Sequence, residues 1–113
     1  FERRDEFEAM EEFLIKAQAR FAGGIYAFWY PLKNSFEVER FGRRIALASS
    51  KPVVDFCLDT GAPAEGQMRG SGLVFVNPPY RFVEEMTPVL ADLARTLSLG
   101  PRAASHITWL KKE

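Results

Sequence analysis

Hydrophobic residues recur at intervals of three and four in three segments of the chain, and this spacing predicts three amphipathic helices. The apolar positions are Phe7, Met10, Leu14, Ala17 and Phe21 in the first segment, Phe36, Phe41, Ile45 and Ala48 in the second, and Phe82, Met86, Leu90, Leu93 and Leu97 in the third. The first helix is expected to begin near Asp5 and to stop at the glycine pair 23–24. Asn34, followed three residues later by Glu37, resembles a capping box for the second helix, with Ser35 as a competing cap.

Four shorter apolar segments predict β-strands. Residues 25–30 are apolar throughout, which is typical of a central strand covered on both faces. Residues 52–58 and 73–76 flank a loop rich in glycine, and we expect them to form an antiparallel hairpin. Residues 105–110 alternate between polar and apolar, as a strand at the edge of a sheet does. The predicted fold class is therefore α/β, with an antiparallel hairpin at the sheet edge.

The order of these elements is typical of the second half of an open α/β sheet. In such sheets the ligand crevice forms beside the first strands, where the strand order reverses. Phe1 leads directly into a charged helix, with neither an initiator Met nor a preceding strand. We therefore expect residues 1–113 to be the C-terminal portion of a larger domain that lacks a complete active site.

Composition narrows the class of protein. With 113 residues and 47% hydrophobic content, the chain can build one core, but its 15 basic and 15 acidic residues cancel. A self-sufficient nucleic-acid-binding domain is usually strongly basic, so any RNA contact must be local. Cys57 is the only cysteine, so an internal disulfide and a multi-cysteine zinc site are excluded. We expect its side chain to be buried as a small hydrophobic residue. The longest apolar run is too short to span a bilayer and no secretory signal pattern opens the chain, so we expect a cytoplasmic protein without membrane partners. We expect no metal partner either, because Cys57 and His106 have no other ligands at a suitable spacing.

One four-residue string carries recognisable chemistry. Asn77-Pro78-Pro79-Tyr80 follows an apolar strand and has the form of the [Asp/Asn]-Pro-Pro-[Tyr/Phe] signature of enzymes that methylate exocyclic amines of bases. Such enzymes need hydrogen-bond acceptors for the amino group and an aromatic ring that stacks on an extruded base. The structural alternative is that Asn77 caps a helix and Tyr80 packs against a neighbour. Topology favours this alternative, because a strand returning from a hairpin would place Asn77 opposite the ligand crevice.

Two longer strings resemble a known family. FAGGIYAFWYP at residues 21–31 and GSGLVFVNPP at residues 70–79 are similar to two blocks of the 23S rRNA adenine-N6 methyltransferase J family, which has also been labelled "protein involved in catabolism of external DNA". The similarity covers essentially the whole chain, including SHITW at residues 105–109. It implies a Rossmann-like class I S-adenosylmethionine-dependent methyltransferase fold, whose N-terminal, cofactor-binding half would be absent from this chain. The connector at residues 49–52 is shorter than in the family.

The resemblance also implies an activity and a catalytic residue. The full-length protein would transfer a methyl group from S-adenosylmethionine to N6 of an adenine in 23S rRNA, and this chain alone would be inactive. The family's Asp-Pro-Pro-[Tyr/Phe] tetrad precedes the first helix of this chain, so Phe1 would be its aromatic residue and the Asn77 string a noncatalytic copy. Two alternatives stay open: a noncatalytic interaction domain, or a DNA amino-methyltransferase that uses Asn77-Pro78-Pro79-Tyr80.

Candidate substrate-binding residues lie at two places in the predicted fold. The loop at residues 61–71 carries Gln67, Met68 and Arg69 and is expected to point to the ligand side, where these residues would contact RNA. Trp29 and Tyr30 end the first strand on the same side and are candidates for the wall of a base pocket, the alternative being core aromatics. Arg40, Arg43 and Arg44 on the second helix are expected to form a solvated face, the alternative being contact with phosphate. His106 on the last strand is expected to be a surface or half-buried histidine, the alternative being a catalytic one.

Overall fold

The predicted order of helices and strands is confirmed. The computed structural model describes residues 4–62 and 68–112. The elements are α1 (Arg4–Arg20), β1 (Tyr26–Pro31), α2 (Ser35–Ala48), β2 (Val53–Asp59), β3 (Gly70–Val76), α3 (Phe82–Thr96) and β4 (Ala104–Lys111). The chain is thus a mixed α/β structure.

The strands form one sheet in the order β1-β3-β2-β4, and every neighbouring pair is antiparallel. The β2–β3 hairpin and the edge position of β4 were both predicted. The prediction that the hairpin lies at the sheet edge is wrong, because β4 pairs with β2 and β1 pairs with β3. The hairpin therefore occupies the middle of the described sheet. Since β1 and β2 both run against β3, they point in the same direction.

Helices cover the sheet on both faces. On one face, α1 and α2 bury Leu14, Phe41 and Ile45 against Val53 and Val76. The opposite face carries α3 and a second cluster, made by Val54, Phe56 and Leu90 with the partly buried Phe75, Phe82, Val83, Met86 and Ile107. Complete burial of one aliphatic or aromatic side chain contributes roughly 1.5 to 3 kcal/mol, so these two clusters hold the layers together.

One face of β1 is exposed in this chain, although the sequence predicts a strand covered on both faces. Within residues 4–62 and 68–112, β1 pairs on one side only, with β3, and lies at the end of the sheet. Phe28 and Tyr30 are buried beneath the helices, but Ala27 and Trp29 are exposed on the opposite face, Trp29 by 45%. The cluster under α3 draws its strand residues from β2, β3 and β4, so α3 leaves β1 uncovered. A continuous apolar run therefore does not mean, in this chain, that both faces are covered.

The two predicted helix caps have different outcomes. Asn34 is the N-cap of α2, and its side chain accepts a 3.1 Å hydrogen bond from the backbone N–H of Glu37, so Asn34 and not Ser35 is the cap. The prediction that Asn77 caps α3 is wrong. The residue at that position is Arg81, which has a left-handed backbone with φ 63° and makes no side-chain capping bond.

Candidate functional site

Backbone hydrogen bonds join the end of β1 to the base of the loop before β3. The N–H of Leu32 donates to the carbonyl of Gly70 at 2.9 Å, and the N–H of Arg69 donates to the carbonyl of Leu32 at 3.0 Å. The antiparallel pairing therefore continues past the two strands and stops next to the start of α2. Met68 and Arg69 lie at this end of the sheet, where the C-terminal end of β1 is found, as the sequence predicted.

Arg69 is the best-anchored candidate residue at this end. Its Nε lies 3.1 Å from Oδ2 of Asp59, and its terminal nitrogen donates a 2.8 Å hydrogen bond to Oγ of Ser35. Its backbone carbonyl also accepts bonds from the N–H and the hydroxyl of Thr60. Arginine has five N–H donors, and these contacts account for two of them. Because the side chain is 28% exposed, it can also donate to an anion in solvent.

The other predicted substrate residues are placed differently. Met68 is exposed beside Arg69. Trp29 and Tyr30 point to opposite faces of β1, because successive side chains of a strand alternate. The two rings therefore cannot line one pocket together, and the complete burial of Tyr30 disfavours a substrate contact. Phe1 and Gln67 lie outside the described residues.

Tyr30 belongs to a groove that the sequence does not predict. The groove lies between α2 and strands β2 and β4, has a volume of about 490 Å³, and is lined in part by Asp55, Cys57 and His106. Within it the Tyr30 hydroxyl donates a 2.8 Å hydrogen bond to Oδ1 of Asp55. A Cβ atom at Gly72 would lie 2.2 Å from that hydroxyl, so only glycine leaves room for the ring. An aspartate inside the apolar strand VVDFCL was the available signal.

Burial controls the ionisation of the side chains that line the groove. It raises the pKa of Asp55 to about 6, although the hydrogen bond from Tyr30 and the charge of His106 oppose the shift. Burial, together with the neighbouring charge of Asp55, raises the pKa of the Tyr30 phenol far above its usual value. The pKa of the Cys57 thiol is also raised, mainly by burial. At neutral pH the thiol and the phenol are thus protonated, so neither is an activated nucleophile.

The Asn77 string lies at the other end of the sheet. The Asn77 N–H donates to the carbonyl of Pro52 at 2.8 Å, and its side-chain nitrogen donates to the carbonyls of Gly23 and Gly24 at 3.1 and 3.3 Å. These carbonyls precede β2 and β1, so Asn77 is found where both strands begin, as topology predicted. The alternative in which Tyr80 packs against a neighbour is wrong, because its side chain is 91% exposed.

The remaining basic residues are mostly at the surface. Arg44 makes a two-point ion pair with Glu11 of α1, at 2.5 and 3.2 Å, and so ties the two helices together. Arg40, Arg43 and His106 are exposed. Residues 4–62 and 68–112 contain no group of three or more His, Cys, Asp or Glu side chains arranged to bind a metal ion. None of the helices described is long and apolar enough to cross a membrane.

Comparison with known proteins shows the family. The family model described as "Ribosomal RNA large subunit methyltransferase D, RlmJ" matches residues 1–111. The ribosomal RNA large subunit methyltransferases J of Escherichia coli K12 and Haemophilus influenzae are each 24% identical to this chain over 114 residues, an alignment that covers 100% of it.

The same relatives are longer than this chain, which spans 41% of their length. A solved structure of a Legionella pneumophila protein from the family DUF519 superposes with a TM-score of 0.85 at 31% identity, and the match covers 96% of this chain and 40% of that one. Because the family model matches nearly every residue, the chain belongs to the ribosomal RNA large subunit methyltransferase family RlmJ.

Proposed function

We propose that the parent protein, meaning the full-length protein that contains this chain, is an S-adenosylmethionine-dependent enzyme that methylates 23S rRNA in the cytoplasm. The observation that carries the proposal is the family match over residues 1–111. The chain spans 41% of the length of its curated relatives, so we assign it the role of C-terminal portion of the methyltransferase domain. The cofactor supplies the methyl group and would be bound mainly by the N-terminal half.

The exposed side of β1 supports this assignment. Within the described ranges, the outer edge of β1 has no paired strand, and Ala27 and Trp29 of this strand are exposed. An unpaired strand edge is a template for further pairing. We propose that the cofactor-binding half adds its strands at this edge and completes a Rossmann-like sheet. The ligand crevice would then lie near the C-terminal end of β1, where Leu32 and Arg69 are joined.

The proposed reaction is methylation of N6 of an adenine. The amino group must be held by acceptors while the extruded base is stacked on an aromatic ring. The family resemblance assigns the ring to Phe1 and the acceptors to an Asp-Pro-Pro sequence immediately upstream. We therefore propose that Phe1 stacks on the target adenine. The Asn77 string is proposed to be noncatalytic, since it lies where β1 and β2 begin, at the end of the sheet opposite the proposed crevice.

Among the described residues, we propose that Met68 and Arg69 contact the RNA. Gln67, which lies outside the described residues, is proposed to contact it as well. Arg69 is held against Asp59 and Ser35 and keeps donors available for a phosphate. The chain has equal numbers of basic and acidic residues, so a localised contact of this kind is the form of RNA binding that its charge permits. By itself the chain is expected to be inactive, because the proposed cofactor site lies in the other half.

A methyl-transfer assay on the parent tests the proposal. Transfer of labelled methyl from S-adenosylmethionine to unmodified 23S rRNA is expected, with the label recovered as N6-methyladenine. Loss of base stacking typically costs roughly 1 to 3 kcal/mol, so Phe1→Ala should slow transfer about tenfold or more. Phe1→Tyr is the matched control and should retain activity, because it keeps the ring.

Two outcomes would favour the alternatives. A folded parent that transfers no methyl to rRNA or DNA would indicate a noncatalytic interaction domain. If Phe1→Ala stayed active while Asn77→Ala abolished transfer without lowering the melting temperature, Asn77-Pro78-Pro79-Tyr80 would be the catalytic string, and methylation of DNA would be the next activity to assay.

A further inference from the structure

The turn after β3 holds a fully exposed aromatic ring. Tyr80 is 91% exposed, yet the backbone on both sides of it is well anchored. Asn77 is bonded to the carbonyls of Gly23, Gly24 and Pro52, two prolines follow it, and the N–H of Phe82 donates to the carbonyl of Pro79 at 3.1 Å. The ring is therefore attached to a rigid support. An exposed tyrosine on a flexible loop would lose far more conformational freedom on binding a partner.

Two non-glycine residues of this turn have a left-handed backbone conformation. Asn77 has φ 60° and Arg81 has φ 63°, and both lie in the left-handed region. Such a conformation carries a cost for residues other than glycine, smaller for Asn than for Arg, and it occurs in tight turns and at functional sites. In this turn the two residues bracket Pro78, Pro79 and Tyr80 and direct them outward from the sheet.

A cleft of about 530 Å³ opens beside the exposed ring. Trp109 of β4 contributes a second, partly exposed aromatic side chain, while Lys112 and Arg81 contribute positive charges. Glu84 also lines the cleft and lies 3.8 Å from Arg81, in a pair whose side chains are both largely exposed. Two cations thus face one carboxylate, and the lining has a positive balance. Aromatic rings next to cations form the arrangement with which proteins bind single-stranded nucleic acid.

We propose that this cleft is a second RNA site, in which a single-stranded segment of the substrate stacks a base on Tyr80 and places a phosphate near Lys112. This inference rests on the proposed function, since it assumes an RNA substrate. The cleft lies at the end of the sheet where β1 begins, whereas the crevice is proposed where β1 ends. A strand of six residues separates the two ends by roughly 20 Å. The site therefore binds RNA remote from the methylated adenine.

The distance between the cleft and the proposed crevice predicts how substitutions in the cleft change KM and kcat. A contact remote from the reacting base that is equally strong in the ground state and the transition state lowers KM and leaves kcat unchanged. We expect Tyr80→Ala in the parent to raise KM for a long 23S rRNA fragment about tenfold with kcat unchanged. A minimal RNA that carries the target adenine, but is too short to reach the cleft, should show the same KM with both proteins. Because Tyr80 is exposed, the melting temperature should also be unchanged.

Matched variants identify the interaction. Tyr80→Phe keeps the ring and should bind the long RNA normally, whereas Tyr80→Leu keeps apolar surface without a π face and should behave like Tyr80→Ala. In Lys112→Gln, the slope of log affinity against log salt concentration should be smaller in magnitude by about one. An unchanged KM in Tyr80→Ala would overturn the proposal, and so would full rescue by Tyr80→Leu, which would show that apolar surface is enough and that no base stacks on the ring. If the unsubstituted parent methylates no rRNA, the proposed function itself fails.

Discussion

The hydroxyl of Tyr30 donates a 2.8 Å hydrogen bond to Oδ1 of Asp55, which lies two strands away in the sheet. The phenol ring reaches β2 by crossing over Gly72, its register partner on the intervening strand β3. This bond supplies a donor to a carboxyl group that is largely withdrawn from water. The side-chain bond therefore joins β1 to β2 across β3, in addition to the backbone hydrogen bonds between neighbouring strands. It also places a titratable group next to the core.

Gly72→Ala tests the crossing of the ring over β3. The added methyl group would lie 2.2 Å from the Tyr30 hydroxyl, so either the ring or the strand must move. Overpacking of this kind usually costs roughly 1 to 3 kcal/mol of unfolding free energy. Gly23→Ala is the control, because its new methyl group would have no atom within 4 Å. Urea denaturation of the two parent variants should separate them; equal stabilities would contradict the predicted crowding.

Asp55→Asn tests the ionisation of the groove. Burial raises the pKa of Asp55 from 3.8 to about 6, so between these pH values the unfolded chain releases a proton that the folded chain retains. Stability therefore falls as pH rises from about 4 to 6, and this loss persists at neutral pH. Asparagine still accepts the Tyr30 bond and carries no charge. The variant should be more stable at pH 7 by roughly 1 to 3 kcal/mol, with no gain at pH 4.

Urea denaturation from pH 4 to 7 measures the difference in unfolding free energy between Asp55→Asn and the unsubstituted parent. Asp92→Asn is the matched control, because Asp92 is exposed on α3 and pairs with Arg95 at the surface. The control should show a nearly constant difference over this range. A variant of Asp55 that loses stability at pH 7 would mean that the charged carboxylate is favoured in the fold.

Asn77→Ala should destabilise the protein without affecting catalysis. The substitution places alanine at φ 60° and removes the bonds to the carbonyls of Gly23 and Gly24, so the combined loss should be roughly 1 to 3 kcal/mol. Asn77→Gly accepts the backbone angle and loses only the side-chain bonds, so it should cost less. Thermal melting gives the stabilities, and kcat for methyl transfer per folded molecule, measured with saturating RNA, should stay near that of the unsubstituted parent.

Arg69→Ala in the parent should weaken RNA binding while leaving S-adenosylmethionine affinity intact. If Arg69 contacts one phosphate, the slope of log affinity against log salt concentration should fall by about one. Arg69→Lys keeps the charge and should keep the slope, although it loses the fork that reaches both Asp59 and Ser35. Fluorescence anisotropy with labelled RNA measures both effects. A slope unchanged in Arg69→Ala would show that its role is confined to holding the loop.

The sequence by itself determined the features that depend on neighbouring residues. Hydrophobic spacing predicted three helices and four strands in their observed order, and the Asn34–Glu37 spacing predicted the cap of α2. The β2–β3 hairpin could also be predicted, because two apolar runs flank a glycine-rich turn. These features arise from interactions over a few residues along the chain, which a sequence displays directly.

Only the tertiary structure decided which distant residues meet. Apolar content could not show that α3 leaves β1 uncovered, because that depends on where α3 docks on the sheet. Asn77 was expected to bond to the helix that follows it, but a left-handed backbone turns its side chain toward glycines more than 50 residues earlier. Tyr30 and Asp55 come together only through the β1-β3-β2 strand order, and burial between helix and sheet then changes the proton affinity of the carboxyl.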